Sequence, residues 1–241
     1  SVEDATNVLT LATSYTDTAG NAPASTSTTD NYTVDTTAAT VVAFTLSDSA
    51  LKIGDTATVT LQFSEAVTGF SSDADVTVQN GSLATMTTTD NITWTGTFTP
   101  SSDVEDATNV MSLATSYTDT AGNAGPSATT DNYAIDTIRP TVAAFTMSDT
   151  ALISAETSTV TLQFSEAVAS FSSDDDITVQ NGSLATMTSS DNITWTGTFT
   201  PTSDVEDATN VLTLATTYTD TAGNAPASAS TTANYEVDTK A

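Results

Sequence analysis

The chain has 241 residues and sets 30 Asp and Glu against three Lys and Arg, a formal net charge of −27. Such a surface cannot neutralise a phosphate backbone, which excludes nucleic acid as a partner, and an anionic membrane surface would repel it. With no Cys and no His, zinc, copper, haem and iron–sulfur sites lose their usual ligands and a Ser-His-Asp or Cys-His nucleophile is ruled out; the carboxylates, amides and carbonyls that remain are hard oxygen ligands of the kind Ca²⁺ takes.

In chain order, residues 1–38 open with VEDATNV from Val2 and YTDTAGN from Tyr15. Leu9, Leu11 and Tyr15 share one parity, the mark of a half-buried strand. A short linker, Asp35-Thr36-Thr37-Ala38, leads to residues 39–138. Strands are expected there at about 40–47, 56–64, 75–80, 83–88, 92–99, 109–117 and 130–136. Val59, Leu61 and Phe63 alternate with polar residues, and Trp94, Gly96 and Phe98 alternate with Thr95 and Thr97. Thr dominates the outward positions, where its β-branch suits a pleated surface. Asn80-Gly81 reads as a type I′ hairpin turn. No stretch has convincing helical periodicity, and no apolar run reaches the roughly 20 residues that span a bilayer, so no membrane insertion is expected. A second linker, Asp136 to Pro140, starts residues 139–241, where the same elements recur. Pro140 stiffens that junction.

The recurrence sets the architecture. VEDATNV returns at Val104 and Val205, YTDTAGN at Tyr117 and Tyr218, and LQFSEAV at Leu61 and Leu162. A period of about 101 residues is too long for a solenoid unit and suits one small sandwich per repeat. The expectation is all-β: tandem immunoglobulin-like Greek-key β-sandwiches, about seven strands each. Residues 39–138 and 139–241 are whole repeats, and 1–38 is the C-terminal part of another. Two late strands cannot bury a core alone. They require upstream residues or strand pairing with another chain.

SDSALKIGDTATVTLQFSEAV, DVTVQNGSLATM, TWTGTFTP, YTDTAGN and DNYAIDT together resemble the bacterial immunoglobulin-like extender repeats of giant repeats-in-toxin adhesins, including the stalk repeats of an ice-binding adhesin. The resemblance covers essentially the whole chain. It implies type I secretion, an extracellular stalk on the bacterial cell surface, and calcium within and between domains.

The carboxylates cluster in a way that can be followed strand by strand. Counting strand reversals places Glu65, Asp119 and Asn123 at one pole of the first whole repeat, where Asp35 of the preceding repeat arrives through its linker. Asp136, Glu166, Asp220 and Asn224 repeat the arrangement. Like charges this close repel unless a cation lies among them. A Ca²⁺ taking 6–8 oxygens would cancel the repulsion and lock neighbouring repeats together. A second cluster at the far pole comprises Asp48, Asp103, Glu105, Asp106 and Asn109, repeated as Asp149, Asp204, Glu206, Asp207 and Asn210; these either complete the junction sites or form their own. Asp73 and Asp75, with Asp174, Asp175 and Asp176, are a third candidate, in the loop before the third strand. The same pairs occur in every repeat rather than lining one cleft, which argues against a glycosidase and against any enzyme. The expected role is a calcium-rigidified extender. The alternatives are an adhesive module for sugar, ice or protein, and a strand-complemented filament subunit.

Overall fold

A computed structural model describes residues 2–241. They fall into two compact units. One comprises residues up to Ser47, Ala57–Thr99 and Val110–Asn132; the other comprises Asp48–Thr56, Pro100–Asn109 and Tyr133–Ala241.

The second unit contains a complete sandwich. Its central strand, Ser158–Phe164, buries Ser158, Val160, Leu162 and Phe164 and turns the intervening residues outward. Alternation in sequence thus becomes alternation across the pleat. The strand lies between Val142–Met147 and Thr194–Pro201, both antiparallel to it, and Gly182–Leu184 extends the sheet beyond Thr194–Pro201. A second sheet sets Tyr235–Asp238 between Glu206–Asn210, antiparallel, and Ala151–Ile153, parallel. Ile177–Thr178, Thr213–Leu214 and Ser230–Thr231 form a third. The core gathers Phe145, Leu152, Val160, Leu162, Phe164 and Phe199 with Leu212, Leu214, Tyr218, Tyr235 and Val237. Phe164 packs on Tyr218 with ring centroids 4.9 Å apart, and Phe199 meets Tyr235 edge-on at 5.1 Å. Each fully buried Leu or Phe contributes roughly 1.5–3 kcal/mol. The same unit also holds the strands Ala50–Lys52, Glu105–Asn109 and Tyr133–Asp136, with Tyr133–Asp136 in the middle.

The first unit has a four-stranded sheet in the order Gly81–Leu83, Thr93–Pro100, Ala57–Phe63, Val41–Leu46. Val76–Thr77, Ser112–Leu113 and Ala128–Thr129 pair in a second sheet, and Val67–Thr68 pairs with Thr118–Asp119. Near the start of the chain, Glu3–Asn7 pairs with Tyr32–Asp35 and Thr10–Leu11 with Ser27–Thr28.

Three local expectations differ from what is found. Asn80 does take a left-handed φ of 51°, but the residues around it are not a hairpin. Val76–Thr77 pairs with Ser112–Leu113, while Gly81–Leu83 joins Thr93–Pro100, so the turn carries the chain from one sheet to the other. Gly81 is needed for closeness rather than for φ: a Cβ there would lie 2.2 Å from the Phe98 ring. The loop before the third strand contains a helical turn, Ser72–Asp75. Asp75 is buried, accepts the Ser71 N–H at 2.8 Å and takes a hydrogen bond from the Ser116 hydroxyl. Finally, Ala50–Lys52 is a parallel edge strand where only a loop was expected; three residues are too few for periodicity to reveal.

Candidate metal centre

Two carboxylate triads stand out, one in each unit. Asp35, Glu65 and Asp119 offer oxygens all within 4.8 Å of one another, and so do Asp136, Glu166 and Asp220. Local pairing explains how each is built. Asp119 ends Thr118–Asp119 and sits opposite Val67, which follows Glu65 by two residues. Asp220 sits opposite Val168 in the same relation to Glu166. The third member closes a strand, Tyr32–Asp35 or Tyr133–Asp136. A further carboxylate stands across that strand: Glu3 is in register with Asp35, and Glu105 with Asp136.

Asp119 and Asp220 have no solvent exposure. Each is held by its own loop. Asp119 Oδ1 accepts the backbone N–H of Ala121 and of Asn123, both at 2.9 Å, and Oδ2 accepts Asn123 Nδ2 at 2.8 Å. Desolvation raises the Asp119 carboxyl, but these donors outweigh it and hold the group below the ordinary Asp value. Gly122, with φ of 97°, makes the turn possible. Asp220 repeats the pattern with Gly223 N at 2.7 Å, Asn224 N at 2.8 Å and Asn224 Nδ2 at 2.9 Å.

Glu65, Glu166 and Asp136 are pushed up instead. Burial, then Asp35, Asp119 and Glu3, raise the Glu65 carboxyl. Burial, then Asp220, Asp136 and Glu105, push Glu166 up to about 7. Asp136 is raised by burial and by Asp220 and Glu105, against a lowering hydrogen bond from Ile138 N–H. Among the described residues, the ion pairs are Lys52–Asp55 and Lys240–Glu206, and neither touches a triad. A cleft of about 330 Å³, lined in part by Leu51, Glu105, Ile135, Asp136 and Thr221, opens beside the second triad. The donor set is all oxygen, no ion pair among the described residues reaches a triad, and the carboxyls are raised by burial first and by their acidic neighbours second. These features fit a hard divalent cation.

The remaining candidates are not members of the triads. Asn224 is a clamp: its Nδ2 reaches Asp136 O at 3.0 Å and its Oδ1 accepts Ile53 N–H at 2.8 Å. Asn123 Nδ2 points to Asp35 O and Thr37 O at 3.4 and 3.5 Å. Asp48 and Asp149 accept the N–H of Ala50 and Ala151, each two residues on, as turn formers. Asp103 and Asp204 take left-handed φ of 57° and 60° on exposed turns. Asp106 and Asp207 accept Thr108 and Thr209 N–H, and Asp207 also accepts Asn181 Nδ2. Glu206 faces Lys240 at 4.0 Å. Of this far-pole set, Glu105 acts on a triad. Asp73 and Asp174 hold the Thr85 and Thr186 hydroxyls, and Asp176, like Asp75, anchors its own helical turn. Sequence reading missed Ile53, because a backbone N–H carries no sequence signal.

Fold and site together define a tandem β-sandwich protein of the immunoglobulin type with acidic centres. The bacterial Ig-like domain family matches residues 35–135 and 136–237, and the chain belongs to it. No curated protein sequence matches. Among solved structures, the Escherichia coli adhesin FdeC is similar at 15% identity and a TM-score of 0.40, over 83% of this chain and 64% of that one. The I9–I11 tandem of titin is similar at 7% identity and a TM-score of 0.28, over 83% of this chain and 65% of that one. The chain thus spans less than two thirds of either neighbour.

Proposed function

We propose that the chain is a run of calcium-rigidified extender repeats from a type I secreted bacterial surface adhesin, a non-enzymatic stalk that projects a distal ligand-binding region outside the cell. The repeats are 39–138 and 139–241, with 1–38 the end of a preceding one. The observation that carries this reading is the twice-built triad: in each copy the Asp closing one repeat is drawn against a Glu and a buried Asp of the next. Calcium would be held by Asp35, Glu65 and Asp119, helped by Glu3, and by Asp136, Glu166 and Asp220, helped by Glu105. The ion would supply positive charge among carboxylates that no ion pair of the described residues reaches.

The mechanical consequence follows from linkage. Without the ion, the raised carboxyls disfavour the closed arrangement; with it, the same carboxyls hold the linker strand to the next repeat. Calcium binding and inter-repeat stiffness are then one equilibrium. A surface of −27 also resists compaction where calcium is scarce. That suits a chain kept unfolded before export and folded outside. The resemblance to repeats-in-toxin extender sequences supports the secretion route and the cell-surface location.

Isothermal calorimetry of the chelator-treated chain with CaCl₂ tests the reading. Two strong sites per chain are expected, with dissociation constants on the order of 10⁻⁴–10⁻³ M or tighter. Binding heats that persist unchanged after Glu65→Gln and Glu166→Gln together would overturn it.

A further inference from the structure

The turn at Asn181-Gly182 has a chemistry that the metal centres do not use. An asparagine followed by glycine is the pair at which a protein chain loses ammonia most readily, because glycine puts no side chain between its own backbone nitrogen and the asparagine carboxamide. Neither member of this pair is readily exchanged for a more durable one. Asn181 has a left-handed φ of 48°, which few residues besides Gly, Asn and Asp accept. At Gly182 a Cβ would stand 2.2 Å from the Phe199 ring and 2.7 Å from Thr200 O. The fold therefore calls for a dipeptide that is chemically weak.

The same fold holds the weak bond still. Asn181 Nδ2 donates to Asp207 Oδ2 at 2.9 Å and to Asn210 Oδ1 at 2.7 Å. Asn210 is buried, and its own Nδ2 is committed to Asp207 O at 2.9 Å and Tyr235 O at 3.1 Å, so its side-chain oxygen is left to face Asn181. The backbone is held as well: Thr202 N–H donates to Asn181 O at 2.9 Å, and Gly182 lies opposite Pro201 in the sheet. Loss of ammonia expels Nδ2, so both of its hydrogen bonds must break before the reaction can finish.

We propose that Asn181 is a deamidation site that the folded repeat keeps closed and that unfolding opens. Gly182 N gives its proton to solvent and bonds to Asn181 Cγ. The Cγ–Nδ2 bond breaks, and the nitrogen leaves as ammonia after taking a proton from water. Water then opens the five-membered imide at one of its two carbonyls, which leaves aspartate or isoaspartate at position 181. The product fits the fold badly. The oxygen that replaces Nδ2 faces Asp207 Oδ2 and Asn210 Oδ1 with no hydrogen to donate, and Asn210 cannot turn its amide to help without abandoning Asp207 O and Tyr235 O. Isoaspartate also adds a methylene to the backbone beside the Gly182–Pro201 pair. A chain that stays unfolded is thus modified irreversibly, and the modification works against its return to the fold. This inference does not depend on the calcium reading.

The full chain is kept at about pH 8 in buffer and in guanidinium chloride. Mass spectrometry follows deamidation and isoaspartate in the fragment that contains Asn181, told from its Asn80 twin by Ile177 and Ser189. Asn181 should react roughly tenfold or more slowly in the folded chain than in the unfolded one. Asp207→Ala removes one acceptor and should speed the reaction in the folded chain several-fold, while hydrogen exchange along Ser158–Phe164 stays as in the parent. Asn181→Asp installs the product directly and should shift the folding equilibrium in urea toward the unfolded state by roughly tenfold or more. Equal rates in the folded and unfolded chains overturn the proposal, as does an Asn181→Asp chain as stable as the parent. So does an Asp207→Ala chain that deamidates no faster than the parent.

Discussion

Replacing Glu166 with Gln should reverse the sign of one contribution to stability, depending on calcium. Burial, Asp220, Asp136 and Glu105 push the Glu166 carboxyl from 4.5 up to about 7. At about 1.4 kcal/mol per pH unit, that rise would be worth about 3 kcal/mol in a screened-off site. Glu166 keeps substantial solvent access, so roughly 1–2 kcal/mol is the better figure. The folded state disfavours the charged form. The cost is therefore absent below pH 4.5, grows between 4.5 and about 7, and is complete above that. At pH 8 in chelator, Glu166→Gln should raise stability by that amount, or roughly 3–8 °C in Tm for a domain of this size. In about 10 mM calcium the parent should gain about 2.7 kcal/mol for a Kd near 0.1 mM. The variant should gain clearly less, because its second triad has lost a carboxylate. Thermal melts at pH 5 and pH 8, each with chelator and with calcium, give the four numbers needed. A variant that is less stable than the parent in chelator at pH 8, or that keeps the parent's full calcium gain, would refute the reasoning.

Without calcium, the parent protein should become more stable as pH falls from about 8 to about 5, because the raised Glu65, Asp136 and Glu166 carboxyls take up protons in the fold. Below about 4 it should lose stability, as Asp17, Asp90, Asp191 and Asp207, all held low by donors, are protonated; calcium should flatten or reverse the upper slope, read as Tm against pH. Asn224→Ala leaves the Ile53 N–H and the Asp136 carbonyl without their partner and should cost about 2–3 kcal/mol in urea melts with or without calcium. Gly182→Ala would put a Cβ 2.2 Å from the Phe199 ring and 2.7 Å from Thr200 O; a loss of about 1–3 kcal/mol in the same melts is expected.

Much of this was readable in one dimension because period-two alternation is a local property. Val59, Leu61 and Phe63 are apolar at every second position, and all three are buried on one face of Ala57–Phe63. The triads were also within reach of strand counting, since every second strand returns the chain to the same pole and brings Glu65 and Asp119 there. Counting fails where a turn changes sheets. Asn80-Gly81 has the composition of a hairpin, and its left-handed Asn80 fits one, yet pairing is decided by which edge is free. Roles of single polar side chains were equally hidden. Asn123 and Asn224 look alike in sequence to an amide ligand, but Asn224 spends its oxygen on Ile53 N–H. Asp75 looks like the exposed Asp73 beside it but is buried under Ser116.

By itself the sequence determined the strand pattern, the repeat and the excess of hard anionic oxygen, because composition and periodicity are properties of neighbours along the chain. Only the tertiary structure decided which carboxylates meet. Asp136, Glu166 and Asp220 come within 4.8 Å from three separate stretches, while Asp48, Asp103 and Asp149 are spent on turns. Repulsion between charges acts through space, and space is assigned by sheet pairing and core packing.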